Sequence, residues 1–274
     1  MSTWGHSPPQ FTFPKPGKGL RGVLITLFVL WLMFAIAINW GDASIELFYL
    51  FCGNTEAVLN GEVWRLFTAA LMHYPQGNLG HILWTMLGLY FLTPSLEEQW
   101  GAGRLIRFLL GSAVIAYAFQ MGVAMLLPAS TSAKLVGLYW FGAFPVVEAV
   151  AIAWALSFRG QQVRLMFVLP VSSRGLVGFV VGISILRVIA LSGAPEGLIS
   201  PFGGMLSGWL LGGGTPSPAR RAYLKFKLAK LEREAHRANQ QRKQRVQKHP
   251  FSVIEGGKND KRKKDRGPDG GWLN

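Results

Sequence analysis

The imidazoles of this chain are His6, His73, His81, His236 and His249, so none falls between His81 and the basic C-terminal region. Hydroxyls are placed the other way round. Ser132, Ser172, Ser173, Ser184, Ser192, Ser200 and Ser207 all lie in the second half of the apolar region, while His73 and His81 lie in the first. A serine becomes a useful nucleophile when an imidazole within hydrogen-bond reach takes its proton. Such a pair would have to join Ser200 or Ser207 to His81 across the fold. The competing reading makes Ser207 a small helix-packing residue and His81 a satisfied polar group near a membrane surface. Metal chemistry has too few ligands, because His73 and His81 come without a third nitrogen or sulfur donor of the kind a catalytic zinc needs. No metal and no cofactor is expected.

Two more ionisable residues stand inside apolar sequence. An ionised Glu148 within a span costs on the order of 3 kcal/mol and needs a partner or water. Arg187 is the conceivable partner at another height. Their contact is expected to stabilise a bundle, or else to recognise a client or sense protons.

The elements that would hold these residues follow from composition. Half of the 274 residues are hydrophobic and 15% are charged, against roughly 25% charged in soluble domains. The chain is expected to be an all-α membrane protein. Six apolar stretches, 20–39, 79–96, 105–127, 135–156, 175–191 and 198–211, approach the roughly 20 residues that cross a bilayer. The last is short and should be shielded by its neighbours. No cleavable signal peptide is expected, since the first apolar run is too long for one. The single Cys52 leaves no internal disulfide.

Lys15, Lys18 and Arg21, then Arg104 and Arg107, then Arg159, Arg164 and Arg174, fall on one side of a six-span arrangement together with the basic tail. That asymmetry places both termini in the cytoplasm, in an integral membrane protein of a bacterial inner membrane. Residues 1–19 are then a short cytoplasmic segment and 20–214 a six-span domain. Residues 215–247 form a basic amphipathic helix, and 248–274 are expected to be disordered. From Ser217 onward the tail carries 17 Lys and Arg against 6 Asp and Glu. Such a helix is suited to anionic lipid head groups, and less to nucleic acid, for want of aromatic residues interleaved with the charge.

Several motifs carry a resemblance. Trp64-Arg65 within Val63–Thr68, then Leu71-Met72-His73, His81-Ile82-Leu83, Gly88-Leu89-Tyr90-Phe91, Leu96-Glu97 and Trp100-Gly101 resemble the rhomboid family of intramembrane serine proteases. Arg164–Pro170 and the stretch from Gly203 to Gly208 are similar to later parts of that family, and the resemblance covers roughly residues 20–212. It implies a six-helix bundle and clients that are transmembrane segments. It also implies that Trp64 and Arg65 brace the first loop, that Glu97 is a structural glutamate, and that Gly204 and Gly208 pack on span four.

The same resemblance implies a serine in a Gly-x-Ser-Gly element, a histidine in span six and an asparagine in span two. Here those positions hold Phe144, followed by Pro145, then Pro201 and Thr85. The chain therefore resembles a pseudoprotease, similar to catalytically silent relatives such as the derlins, which bind or route membrane-protein clients. Two alternatives stay open: a working intramembrane serine endopeptidase, and a membrane anchor for a partner held by the tail. Oligomeric state is not readable from the sequence.

Overall fold

A computed structural model describes residues 14–77, 79–165, 169–212 and 216–248. Eleven α-helices appear among them, and the chain divides into two compact units, one through Tyr223 and one from Leu224. In the first unit α1 (Lys18–Asn39) leads into three short helices, α2 (Glu46–Tyr49), α3 (Thr55–Leu59) and α4 (Arg65–Thr68), the last continued by a 3-10 turn at Ala69–Leu71. Then follow α5 (Gly80–Trp100), α6 (Ala102–Leu126), α7 (Ala129–Leu135), α8 (Phe144–Ser157), α9 (Ser173–Ile189) and α10 (Ser200–Ser207). Helix α11 (Pro218–Lys248) crosses into the second unit, and its described side chains from Arg220 onward are exposed. The tail expected to be disordered, and most of the N-terminal segment, lie outside the described residues.

Among the described residues two helices, α1 and α6, are long and apolar enough to cross a membrane, and α8 is a shorter apolar helix. Three sequence expectations change. The fourth apolar stretch is not continuous: α7 ends at Leu135 and α8 begins at Phe144, because Gly137, Gly142 and a β-bridge from Trp140 to Gly53 occupy the segment between them. Gly142 adopts φ +116, which breaks helical geometry and favours glycine. The fold is also not purely helical. An antiparallel hairpin, β1 (Gln162–Leu165) with β2 (Leu169–Ser172), joins α8 to α9, pairing Gln162 with Ser172 and Leu165 with Leu169. Finally, the sixth stretch is α10 followed by a π-helical turn at Gly208–Gly212.

Helix α8 is the axis of the bundle. Apart from Glu148 it is apolar all round, and everything from Pro145 to Ala155 is buried, as expected of a helix surrounded by others. Helix α10 and the π-helical turn after it approach α8 through Gly204, Gly208 and Gly212, whose missing side chains leave room for Pro145, Ala149 and Ala153. That four-residue spacing keeps the glycines on one stripe and lets the two backbones touch.

Helix α1 is held differently. Its buried seam, Leu20, Leu27 and Phe34, repeats every seventh residue, and the rest of its surface is largely outside the core. At its first turn the Glu97 carboxylate accepts from the backbone N–H of Gly19 at 2.7 Å and of Leu20 at 3.1 Å. These are helix N-terminal donors with no partner in their own helix, and a negative group there also suits the helix dipole. Gly17 and Gly19 leave space for the carboxylate, since a Cβ at Gly17 would meet Glu97. Losing the acceptor strands two buried N–H groups at about 1–3 kcal/mol each. Glu97→Ala is accordingly expected to lower unfolding stability in detergent by about 3 kcal/mol, while Glu98→Ala, one residue on, changes it little.

Candidate functional site

Polar groups gather where the start of α5, the Phe141–Phe144 turn, α9 and the 190–199 segment meet. Glu196 is the hub. Its side chain is 1% exposed, and Arg187 of α9 donates from Nη1 to Oε1 at 3.0 Å. His81 Nε2 lies 3.5 Å from the other carboxylate oxygen, an ion-pair separation long for a hydrogen bond. Burial alone would raise the Glu196 carboxyl, but His81 and Arg187 beside it outweigh that and hold it below the ordinary range.

The two imidazoles are neighbours, with ring centroids 5.0 Å apart. His73 is 2% exposed, and its Nδ1 stands 3.4 Å from the Leu71 carbonyl oxygen. Burial, helped by His81, lowers the His73 pKa to about 3, so this ring is neutral at ordinary pH. The His81 ring lies where a Cβ on Gly142 would be. That glycine is fixed by its N–H donating to Ala69 O at 2.8 Å and by Tyr117 donating to its carbonyl at 2.5 Å.

Phe144 is the first residue of α8, and the Arg187 guanidinium sits 5.5 Å from its ring centroid. Pro145 follows, facing Gly204. Pro201 is buried at the start of α10, where a proline is tolerated because the first helical N–H needs no partner. Thr85 is fully buried, and its hydroxyl donates to His81 O at 2.9 Å.

The two candidate serines, Ser200 and Ser207, are engaged with backbone. Ser200 is fully buried and donates to Glu196 O at 2.8 Å; Ser207, also fully buried, donates to Gly204 O at 2.7 Å. Among the described residues no hydrogen bond joins a serine hydroxyl to a histidine ring, so the structure does not bring Ser200 or Ser207 together with His81. Nor does any group of three or more His, Cys, Asp and Glu among them have the arrangement of a metal site.

Two pairings differ from the sequence expectation. Glu148 does not pair with Arg187. Ser184 donates to it at 3.0 Å, while Arg187, one turn further along α9, reaches Glu196 instead. Ser184 and Arg187 share a face of α9 at adjacent heights, so each meets a different carboxylate. Glu148 is 3% exposed, which takes it away from any client. Trp64 does not brace the loop either, being 54% exposed. Arg65 does, donating to Tyr49 O at 2.7 Å and Cys52 O at 2.8 Å and pairing with Glu62 at 2.5 Å, and Thr68 adds a bond to Phe51 O at 2.8 Å.

Sequence reasoning does not single out Glu196 or Gln120. Gln120, fully buried in α6, accepts from the Ser200 N–H at 2.9 Å. An amide inside an apolar span is a readable signal. Glu196 has no such signal, since it lies in a connection where acids are ordinary.

Taken together, these features define a helical membrane bundle built on a buried central helix, with a polar cluster at one end of it. The rhomboid domain profile matches residues 60–216, more than half of the chain, and the protein belongs to the rhomboid family of integral membrane proteins. A Bacillus subtilis (strain 168) protein named "Putative rhomboid protease YdcA" is 30% identical over 97 residues, which covers 34% of this chain and 44% of that protein. The chain thus matches under half the length of that relative.

Proposed function

We propose that this rhomboid-family chain engages transmembrane segments of client proteins without hydrolysing them. One observation carries the reading: the buried hydroxyls of Ser200 and Ser207 are donated to backbone carbonyls, while His81 faces Glu196. Acyl transfer needs a hydroxyl whose proton an imidazole can take. At the positions where the family resemblance calls for serine and histidine stand Phe144 and Pro201, which supply neither. Pro145 also lacks the backbone N–H that would stabilise an oxyanion at this position. With Phe144 held under Arg187, a client is expected to dock from the lipid against α5 and α9 and to stay helical.

The second reading is a working intramembrane serine endopeptidase, which the family match and the relative's name support. The two part on one measurement. Purified protein in liposomes is expected to take no label from a serine-directed fluorophosphonate, and Phe144→Ser alone is expected to restore none, because an unassisted hydroxyl lacks its base. Labelling abolished by Ser200→Ala or Ser207→Ala establishes the endopeptidase instead.

The orientation and the tail belong to the same proposal. With both termini in the cytoplasm, α11 lies beside an anionic leaflet, and its eleven Lys and Arg against two Glu suit lipid head groups. A reporter that fluoresces only in the cytoplasm, fused after Asn274, is expected to be bright. A peptide of residues 218–247 is expected to gain helix on anionic but not neutral vesicles; a dark reporter, or equal folding on both vesicles, defeats this part of the account.

A further inference from the structure

Helix α1 is fastened at both ends, and between them it meets the bundle mainly along its Leu20, Leu27 and Phe34 seam. At one end Glu97 holds the first-turn N–H groups of Gly19 and Leu20; toward the other, Trp31 Nε1 donates to Tyr74 O at 3.1 Å and Asn39 to Pro75 O at 3.1 Å. Between these fastenings lies a groove of about 330 Å³. One wall runs along α1 from Lys18 through Gly22 and Thr26 to Leu27, and the other along α6 from Ile106 to Ala113. Phe67, Ala70 and Leu71 also line it. The lining is apolar almost throughout, with Lys18 as its one charged residue.

Three properties narrow the occupant. First, the groove follows α1 lengthwise: the ten residues from Lys18 to Leu27 span about 14 Å at 1.5 Å per residue. An apolar slot of that length and about 330 Å³ suits an extended hydrocarbon chain lying along α1. Second, the interior gives a polar ligand almost nothing to bond. Third, the charge is confined to one end, at the level where α1 starts and where the exposed Arg21 also lies. Together these describe an unbranched hydrocarbon chain whose anionic head sits at Lys18. We propose that the α1–α6 groove binds one acyl chain of an anionic phospholipid, with the lipid phosphate against the Lys18 ammonium, and that this chain fills the space between α1 and the bundle. The site is independent of the cleavage question and of the tail.

Gly22 supplies the test, because a Cβ there meets nothing within 4 Å and so points into open groove. Gly22→Phe fills the space without touching the backbone, and Leu110→Trp narrows it from the opposite wall. Full-length protein is reconstituted with phosphatidylglycerol or phosphatidylcholine carrying a photoreactive acyl chain, and the labelled peptides are mapped by mass spectrometry. Wild-type protein is expected to be labelled on 18–27 and 106–113, at least threefold more by phosphatidylglycerol than by phosphatidylcholine. Gly22→Phe and Leu110→Trp should each lower that labelling at least fivefold, and Lys18→Glu should remove the head-group preference while leaving acyl labelling in place. Thermal unfolding confirms that each variant is folded, and either groove variant alone suffices. The proposal is overturned if labelling spreads evenly over lipid-facing α1 residues such as Phe28 and Leu32 and ignores both variants. It is overturned equally if the anionic preference survives Lys18→Glu, or if label appears only on the tail.

Discussion

Gly204→Ala is expected to be far more damaging than its single methyl group suggests. A Cβ at this position would fall within the van der Waals envelope of the Pro145 carbonyl oxygen, and its next contacts are also Pro145 backbone. No rotamer relieves a clash between a Cβ and a neighbouring main chain, so α10 must move off α8. Ordinary overpacking costs about 1–3 kcal/mol, because side chains can shift. Here the displaced partner is the backbone of the most buried helix in the fold, and the expected loss is at least about 4 kcal/mol, within the range that signals a disrupted core. The control is internal. Gly178 and Gly182 of α9 would present their Cβ atoms to open space, and alanine there should be neutral or stabilising by up to about 1 kcal/mol. Chemical unfolding of purified protein in detergent, followed by circular dichroism, checks both; equal effects at Gly204 and Gly182 would show that the α8–α10 contact is looser than described.

The second large effect is expected at Arg187. Removing one partner of a buried ion pair leaves the other charge uncompensated, at a cost of about 3–5 kcal/mol. In Arg187→Met the stranded group is Glu196, 1% exposed, with only His81 near its other oxygen. Because Arg187 itself is 25% exposed, the loss should lie near the lower end, about 3 kcal/mol. Adding Glu196→Gln removes the stranded charge and should restore part of the loss, so the double variant is expected to be more stable than Arg187→Met alone. A double-mutant cycle measures this directly. Simple additivity would mean that the two side chains do not depend on each other.

The contrast between these two sites shows what a linear chain reveals. The glycine stripe is readable because its consequence is local: spacing of four puts Gly204 and Gly208 on one helix face, whatever the partner. The same holds for Arg65, whose planar fork in an apolar setting must find carbonyls. Glu97 was readable as structural, but not the act it performs, since its partners lie 78 residues away at the first turn of α1. Hydropathy could not show that residues 136–143 leave the helix, because a buried turn is as apolar as a buried span. The two glycines in that stretch were the available sign. The pairing of Glu148 with Arg187 failed for a reason of register: charge suggested attraction, but adjacent turns of α9 present Ser184 to one carboxylate and Arg187 to the other. Glu196 was invisible because only the fold brings that connection over His81.

The most direct test of the central claim follows a single client through contact and fate. A transmembrane segment is reconstituted with the full chain in liposomes carrying photocrosslinkers at Leu83 and Trp84 on α5, at Phe179 and Ile183 on α9, and at Phe144. All four lipid-side positions are exposed, whereas Phe144 lies under Arg187. Intact mass is then read for the crosslinked and the free client. The account predicts capture from α5 and α9, little from Phe144, and a client of unchanged mass after prolonged incubation. A client cut within its transmembrane segment, with the cut lost in Ser200→Ala or Ser207→Ala, contradicts it.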